Sequence, residues 1–207
     1  MSKFLAVLTA LVLMAAGADA RALTVLALGD SLTAGYGLQP SDAFPVKLEA
    51  ALRAKGHDVK VINAGIAGDT ALDGASRLEW ALAEPVDAAI VELGANDALR
   101  GLPVPQAEQA LDNALSRLAE RNIPVLLAGM RAPPNLGPEY QVDFDGMYPR
   151  LAEKHGVLLY PFFLEGVAAD PKLNQADGMH PNPDGVDMIV ARILPSVEQL
   201  LAKAAAD

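Results

Sequence analysis

Leu23–Leu28 reads LTVLAL, and the chain then turns at once into Gly29-Asp30-Ser31-Leu32-Thr33-Ala34-Gly35. A short apolar run with no polar alternation, ended by glycine, is the pattern of a strand buried on both faces. The same pattern returns at Val59–Ile62, Ala88–Leu93, Val125–Ala128 and Val157–Tyr160. Between these runs lie amphipathic stretches. The clearest is Gln106–Arg121, where Ala107, Leu111, Ala114, Leu115 and Leu118 recur at helical spacing. Ala43–Lys55, Leu72–Leu82 and Tyr148–His155 are weaker helices. A final helix starts near Pro183 and passes Leu200, with a kink expected at Pro195. Strand and helix alternating about five times predict a parallel sheet with helices on both faces. No repeat, low-complexity tract or linker divides the chain, and Ala132–Pro138 reads as a surface loop.

The bulk properties narrow the function. The chain has 207 residues, a net charge of -10 and 52% hydrophobic residues. This acidity leaves no basic patch to neutralise phosphates, so neither a nucleic acid nor an anionic membrane surface is an expected partner. There is no cysteine, which excludes disulfides, thiolate catalysis and cysteine-ligated zinc. The first twenty residues stand apart. Lys3 precedes the apolar run Phe4–Met14, and Ala18-Asp19-Ala20 supplies small residues where a signal peptidase reads. The run is too short to span a bilayer. Residues 1–20 are therefore expected to be a signal peptide, with Arg21 starting a single catalytic domain over 21–207, periplasmic or secreted and with no integral span after cleavage.

Open parallel sheets bind ligands at the carboxyl ends of their strands, and four such turns carry chemistry. Ser31 follows the first run, and Gly65 and Gly68 lie in the turn after the second. Asn96-Asp97 follows the third, and Asp177-Gly178-Met179-His180 lies in the last loop. Each has a bland alternative: turn chemistry for Gly-Asp-Ser, a helix N-cap for Asn96-Asp97, an incidental loop histidine for His180. His57 and His155 read as incidental. Four independent turns offering the right group at one sheet edge outweigh those alternatives. Ser31 would be the nucleophile and His180 its base, with Asp177 fixing the histidine tautomer. Asp184 and Asp187 are competing orienters. The Ser31 N–H, the Gly68 N–H and the Asn96 amide would receive the oxyanion. Leu99, Leu102, Pro133, Leu136 and Met179 are candidate walls of an open acyl groove.

The blocks GDSLTAGYG, NAGIAGDT, VELGANDALRG and DGMHPN resemble those of the GDSL, or SGNH, hydrolases, in order and across essentially the whole mature chain. Within that family the chain is similar to the bacterial thioesterase I, lysophospholipase and arylesterase group. The resemblance implies a flavodoxin-like three-layer α/β/α fold with a parallel sheet of about five strands. It implies Ser31, Gly68, Asn96, Asp177 and His180 in the roles just given, with no metal and no cofactor. The expected activity is hydrolysis of esters, and of thioesters, of short to medium acyl chains by a monomer acting on small molecules. Two rivals remain: a carbohydrate O-deacetylase of the same fold, and a non-catalytic binding module. The G-x-S-x-G elbow, H-E-x-x-H and G-x-G-x-x-G are all absent, which removes α/β-hydrolase, zincin and dinucleotide readings.

Overall fold

The computed structural model describes residues 21–206; the expected signal peptide lies outside them. Five parallel strands form one sheet: β1 (Leu23–Gly29), β2 (Val59–Gly65), β3 (Ala88–Glu92), β4 (Val125–Ala128) and β5 (Leu158–Tyr160). Their spatial order is β2-β1-β3-β4-β5. The helices are α1 (Ser31–Ala34), α2 (Phe44–Ala54), α3 (Ala71–Ser76), α4 (Leu78–Ala81), α5 (Ala95–Leu99), α6 (Val104–Glu120), α7 (Pro138–His155) and α8 (Pro183–Ala204). One layer holds α2 and α8, which pack together; the other holds α3, α6 and α7. The expected flavodoxin-like α/β/α sandwich is the observed fold.

The apolar runs become strands because both sheet faces are covered. Val25, Leu26, Ala27 and Leu28 are buried, as are Ala88 through Val91 and Val125 through Ala128. The predicted apolar face of α6, Ala107, Leu111, Ala114, Leu115 and Leu118, is wholly buried. Each of its leucines contributes about 1.5–3 kcal/mol by leaving water.

The strand order sets the position of the site. From β1 the chain moves outward to β2, then returns past β1 to β3 and continues in the opposite direction. The carboxyl ends of β1 and β3 therefore flank the switch point where open α/β sheets form a crevice. In register, Gly29 pairs with Gly65 on one side and Glu92 on the other, so three strand exits meet at one level. Gly29 itself admits no side chain: a Cβ there would stand 2.1 Å from Thr33 Oγ1 and 2.8 Å from the Glu92 carbonyl oxygen.

Four elements differ from the sequence reading. β2 continues through Asn63-Ala64-Gly65, because its backbone pairs with β1 up to Gly29. The stretch Leu72–Leu82 is two short helices that part at Arg77. The α7 helix begins at Pro138, ten residues before Tyr148, and buries Phe144, Met147, Tyr148 and Leu151. Within Ala132–Pro138, Pro134–Leu136 forms a 3-10 turn and Ala132 is buried.

Candidate active site

Ser31 is the first residue of α1, two residues beyond the end of the central strand β1. Asp30 caps that helix: its Oδ1 accepts from Leu32 N at 2.9 Å. The cap fixes the turn and points Ser31 into the crevice, and the Ser31 N–H, in the first helical turn, has no intrahelical acceptor.

The loop after β5 returns from the far edge of the sheet to bring the histidine over the serine. Asn174 and Pro181 form an antiparallel bridge at its base. Gln175 N donates to the His180 carbonyl at 2.8 Å, and Gln175 Nε2 ties Tyr36 O at 2.8 Å to Pro181 O at 2.9 Å. His180 Nε2 lies 2.9 Å from Ser31 Oγ, and Nδ1 lies 2.6 Å from Asp177 Oδ2. Asp177 Oδ1 accepts the Met179 and His180 backbone N–H groups at 2.9 and 3.0 Å. Those backbone bonds, then the histidine, hold the Asp177 carboxyl down at about 2, so it is an anion wherever an imidazole needs orienting. With Asp177 receiving the Nδ1 proton, Nε2 is left as the acceptor facing the serine hydroxyl. The Tyr36 ring lies 4.7 Å from the His180 ring. Asp187 points elsewhere, to Lys47 Nζ at 2.8 Å, and Asp184 shares its helix. His57 pairs with Glu198 and His155 with Asp112, both remote from the crevice.

The remaining predicted polar groups converge from two other turns. Gly68 has φ +89, a left-handed conformation costly for other residues, and its carbonyl accepts from Arg100 Nη2 at 2.8 Å. Asn96, in α5, donates through Nδ2 to Asp30 Oδ2 at 3.1 Å and to Asp69 O at 3.0 Å. The amide is thereby held between the serine turn and the glycine turn. Asp97 faces inward instead and accepts from Ala71 N at 2.8 Å.

Beneath the site lie two fully buried carboxyls. Burial pushes Asp30 up to about 6 against the pull of its Leu32 and Asn96 donors. Burial, then the neighbouring Asp30 charge, pushes Glu92 well up, although Thr33 Oγ1 donates to its Oε2 at 2.8 Å. Glu92 Oε1 is buried without a partner. Neither group was singled out from the sequence; a glutamate ending an apolar run was the available signal.

A cleft of about 300 Å³ opens beside Ser31, Asn96 and His180. Of the predicted groove residues, Leu99, Pro133 and Met179 line it, whereas Leu102 and Leu136 stand outside its lining. Leu102 is engaged through its carbonyl, which accepts from Tyr140 Oη at 2.8 Å, and Leu136 packs toward the Gly101 turn. Met130, Arg131, Phe162 and Ala168 line it as well. The Arg131 guanidinium sits 4.7 Å above the Phe162 ring. Among the described residues, no group of three His, Asp or Glu side chains is placed to hold a metal ion.

A serine, a histidine and an aspartate in a hydrogen-bonded line, at the switch point of an α/β sheet, define the class of serine hydrolases. The profile of the GDSL-like Lipase/Acylhydrolase family matches residues 27–188, and the chain belongs to that family. It is similar to esterase TesA of Pseudomonas aeruginosa, 39% identical over 184 residues, 88% of this chain and 92% of that protein. It is also similar to an arylesterase of Vibrio mimicus, 42% identical over 161 residues, 77% of this chain and 80% of that one. Among solved structures, the SGNH-hydrolase family esterase AlinE4 is 48% identical, with TM-score 0.75 over 89% of this chain and 99% of that one. TesA superposes with TM-score 0.82 at 37% identity, over 86% of this chain and 99% of that one. The chain is an ester-bond hydrolase of the SGNH type.

Proposed function

We propose that this esterase hydrolyses carboxylic esters and thioesters of short to medium acyl chains through an acyl-enzyme on Ser31. The observation that carries the reading is the line from Asp177 through His180 to Ser31 Oγ, opening on a largely apolar cleft. His180 Nε2 takes the hydroxyl proton as Oγ bonds to the acyl carbon, and the carbonyl electron pair moves onto oxygen. That oxyanion is received by the Ser31 and Gly68 N–H groups and by the Asn96 amide, which turns one N–H from Asp30 Oδ2 to the oxyanion and keeps the other on Asp69 O. On collapse the leaving alcohol or thiol takes the proton from His180. Water then enters, gives its proton to the same nitrogen and repeats the sequence, releasing the acid and restoring Oγ–H.

The cleft volume lies at the low end of the range for small-molecule pockets, which favours short and medium chains over long ones. Exposed Leu99 and Met179 line it together with Phe162. Each methylene buried there is worth about 0.8 kcal/mol, so kcat/KM should climb several-fold per carbon until the groove is full. The test is a chain-length series of p-nitrophenyl esters and acyl-CoA thioesters on the native protein, Leu99→Ala and Met179→Ala. A rising series that flattens in both variants is expected. Activity confined to acetyl groups on sugars, with no chain-length dependence, would replace this reading with the deacetylase.

Export is part of the same proposal. Lys3, the apolar run Phe4–Met14 and the Ala18-Asp19-Ala20 site support a cleaved leader. Among the described residues no helix is long and apolar enough to cross a membrane. Intact mass of the protein recovered outside the cytoplasm should begin at or within two residues of Arg21; an unprocessed Met1 would refute it.

A further inference from the structure

We infer that Arg77 is a positioning residue of the oxyanion site, acting through Asp69 and Asn96. Its guanidinium is mostly buried at the junction of α3 and α4 and joins two of the turns that build the site. Nε donates to Asp69 Oδ2 at 2.5 Å, and Nη2 donates to the Gly29 carbonyl at 2.9 Å. The same Gly29 oxygen accepts from Ile66 N at 3.1 Å. One carbonyl, at the residue before the Asp30 cap, is thus tied both to the start of the glycine turn and to the arginine that grips its end.

Asp69 is the centre of the device. Its carboxylate is held by Arg77, its N–H donates to Ile66 O at 3.2 Å, and its carbonyl accepts the Asn96 amide at 3.0 Å. The residue before it is Gly68. The Arg77 fork therefore fixes the spacing between the Gly29–Asp30 peptide that leads into Ser31 and Asp69, the residue after Gly68, and it fixes the acceptor that aims Asn96. Preorganised donors act only if they already stand where charge will develop, and displacements near 1 Å cost heavily. The arginine is held at some cost, since its Nη1 is buried with no hydrogen-bond partner, and a lysine has no fork to reach both acceptors. By contrast Arg100, which grips Gly68 O, is exposed.

This inference rests on the proposed oxyanion role of Asn96, and a double-mutant cycle separates the two. Asn96→Ala, Arg77→Met, Arg77→Lys, Asp69→Asn and the Arg77→Met/Asn96→Ala double variant are assayed for kcat and KM on a p-nitrophenyl ester. Affinity for a boronic acid mimic of the tetrahedral state is measured alongside. Asn96→Ala should lower kcat about 10²–10³-fold. Arg77→Met should lower kcat at least tenfold with KM nearly unchanged and weaken the boronic acid in parallel. Asp69→Asn should behave alike and Arg77→Lys should recover only part. On the Asn96→Ala background the Arg77→Met effect should shrink at least threefold. An unchanged Asn96→Ala enzyme would overturn the oxyanion reading itself. A normal Asn96→Ala loss with full activity in Arg77→Met, or strictly multiplicative losses, would overturn the Arg77 inference alone. Should Arg77→Met lack a cooperative unfolding transition, Asp69→Asn and Arg77→Lys decide by the same criteria.

Discussion

Replacing Glu92 by glutamine should flatten the pH dependence of stability, because burial under the active site disfavours the charged form of this carboxyl. Its folded-state acidity is displaced upward by burial and by Asp30, while the unfolded chain ionises it near 4.5. A carboxyl raised in this sense stabilises the fold fully below its unfolded value and loses that contribution as pH rises toward the folded one. Across that window the unfolded state has released a proton that the folded state keeps, so stability falls by about 1.4 kcal/mol per pH unit. Asp30, moved from 3.8 to about 6, adds a loss of about 3 kcal/mol, completed by about pH 6. Glutamine keeps the acceptor for Thr33 Oγ1 and removes the Glu92 part. Urea unfolding followed by far-UV circular dichroism at pH 5.5 and 6.5 reads the difference. The native protein should lose more stability than Glu92→Gln over that unit, by up to about 1.4 kcal/mol, a midpoint shift of up to about 1 M. Parallel stability curves for the two proteins would refute a neutral buried Glu92.

Two other substitutions follow from the geometry. Tyr148→Phe removes a buried hydroxyl that donates to Leu93 O at 2.9 Å and should cost about 1–3 kcal/mol in chemical denaturation, with KM unchanged. Asp177→Ala should lower kcat strongly while Asp187→Ala, which removes one of the partners of Lys47, leaves kcat within about twofold; the reverse pattern in steady-state kinetics would move the orienting role into α8.

The parts of the molecule legible in sequence are those where burial alone decides structure. The central strands β1, β3 and β4, covered on both faces, left apolar runs. The turns that end β1, β2 and β3 hold Ser31, Gly68 and Asn96 within a few residues of the strand, while Asp177 and His180 come from the long loop after β5. Helix α7 was legible only in its last turns. Phe144, Met147, Tyr148 and Leu151 do keep helical spacing, but Gly146 and Pro149 lower its propensity and Pro138 reads as loop. The end of β2 was hidden because Asn63-Ala64-Gly65 is extended by pairing with β1 and not by its own composition. In the site, Ser31, Asp177 and His180 were visible because each sits in a short block of unusual chemistry. Arg77, Asp30, Glu92 and Tyr36 were not. The local cap of Asp30 on Leu32 apart, their roles come from partners many positions away, and an arginine in an amphipathic stretch looks solvent-facing until the fold places its acceptors. Leu102 and Leu136 lie in the loops next to the cleft but outside it, while Met130, Phe162 and Ala168, which do line it, come from segments that only the β4 and β5 exits bring together.

The central claim is that Ser31 forms the acyl-enzyme under activation by His180. Incubating the protein with a fluorophosphonate and mapping the adduct by peptide mass spectrometry tests it directly. One adduct at Ser31, formed in step with loss of ester hydrolysis, absent in Ser31→Ala and slowed by orders of magnitude in His180→Ala, is the predicted result. Labelling at another serine, or hydrolysis that survives complete modification of Ser31, would contradict it.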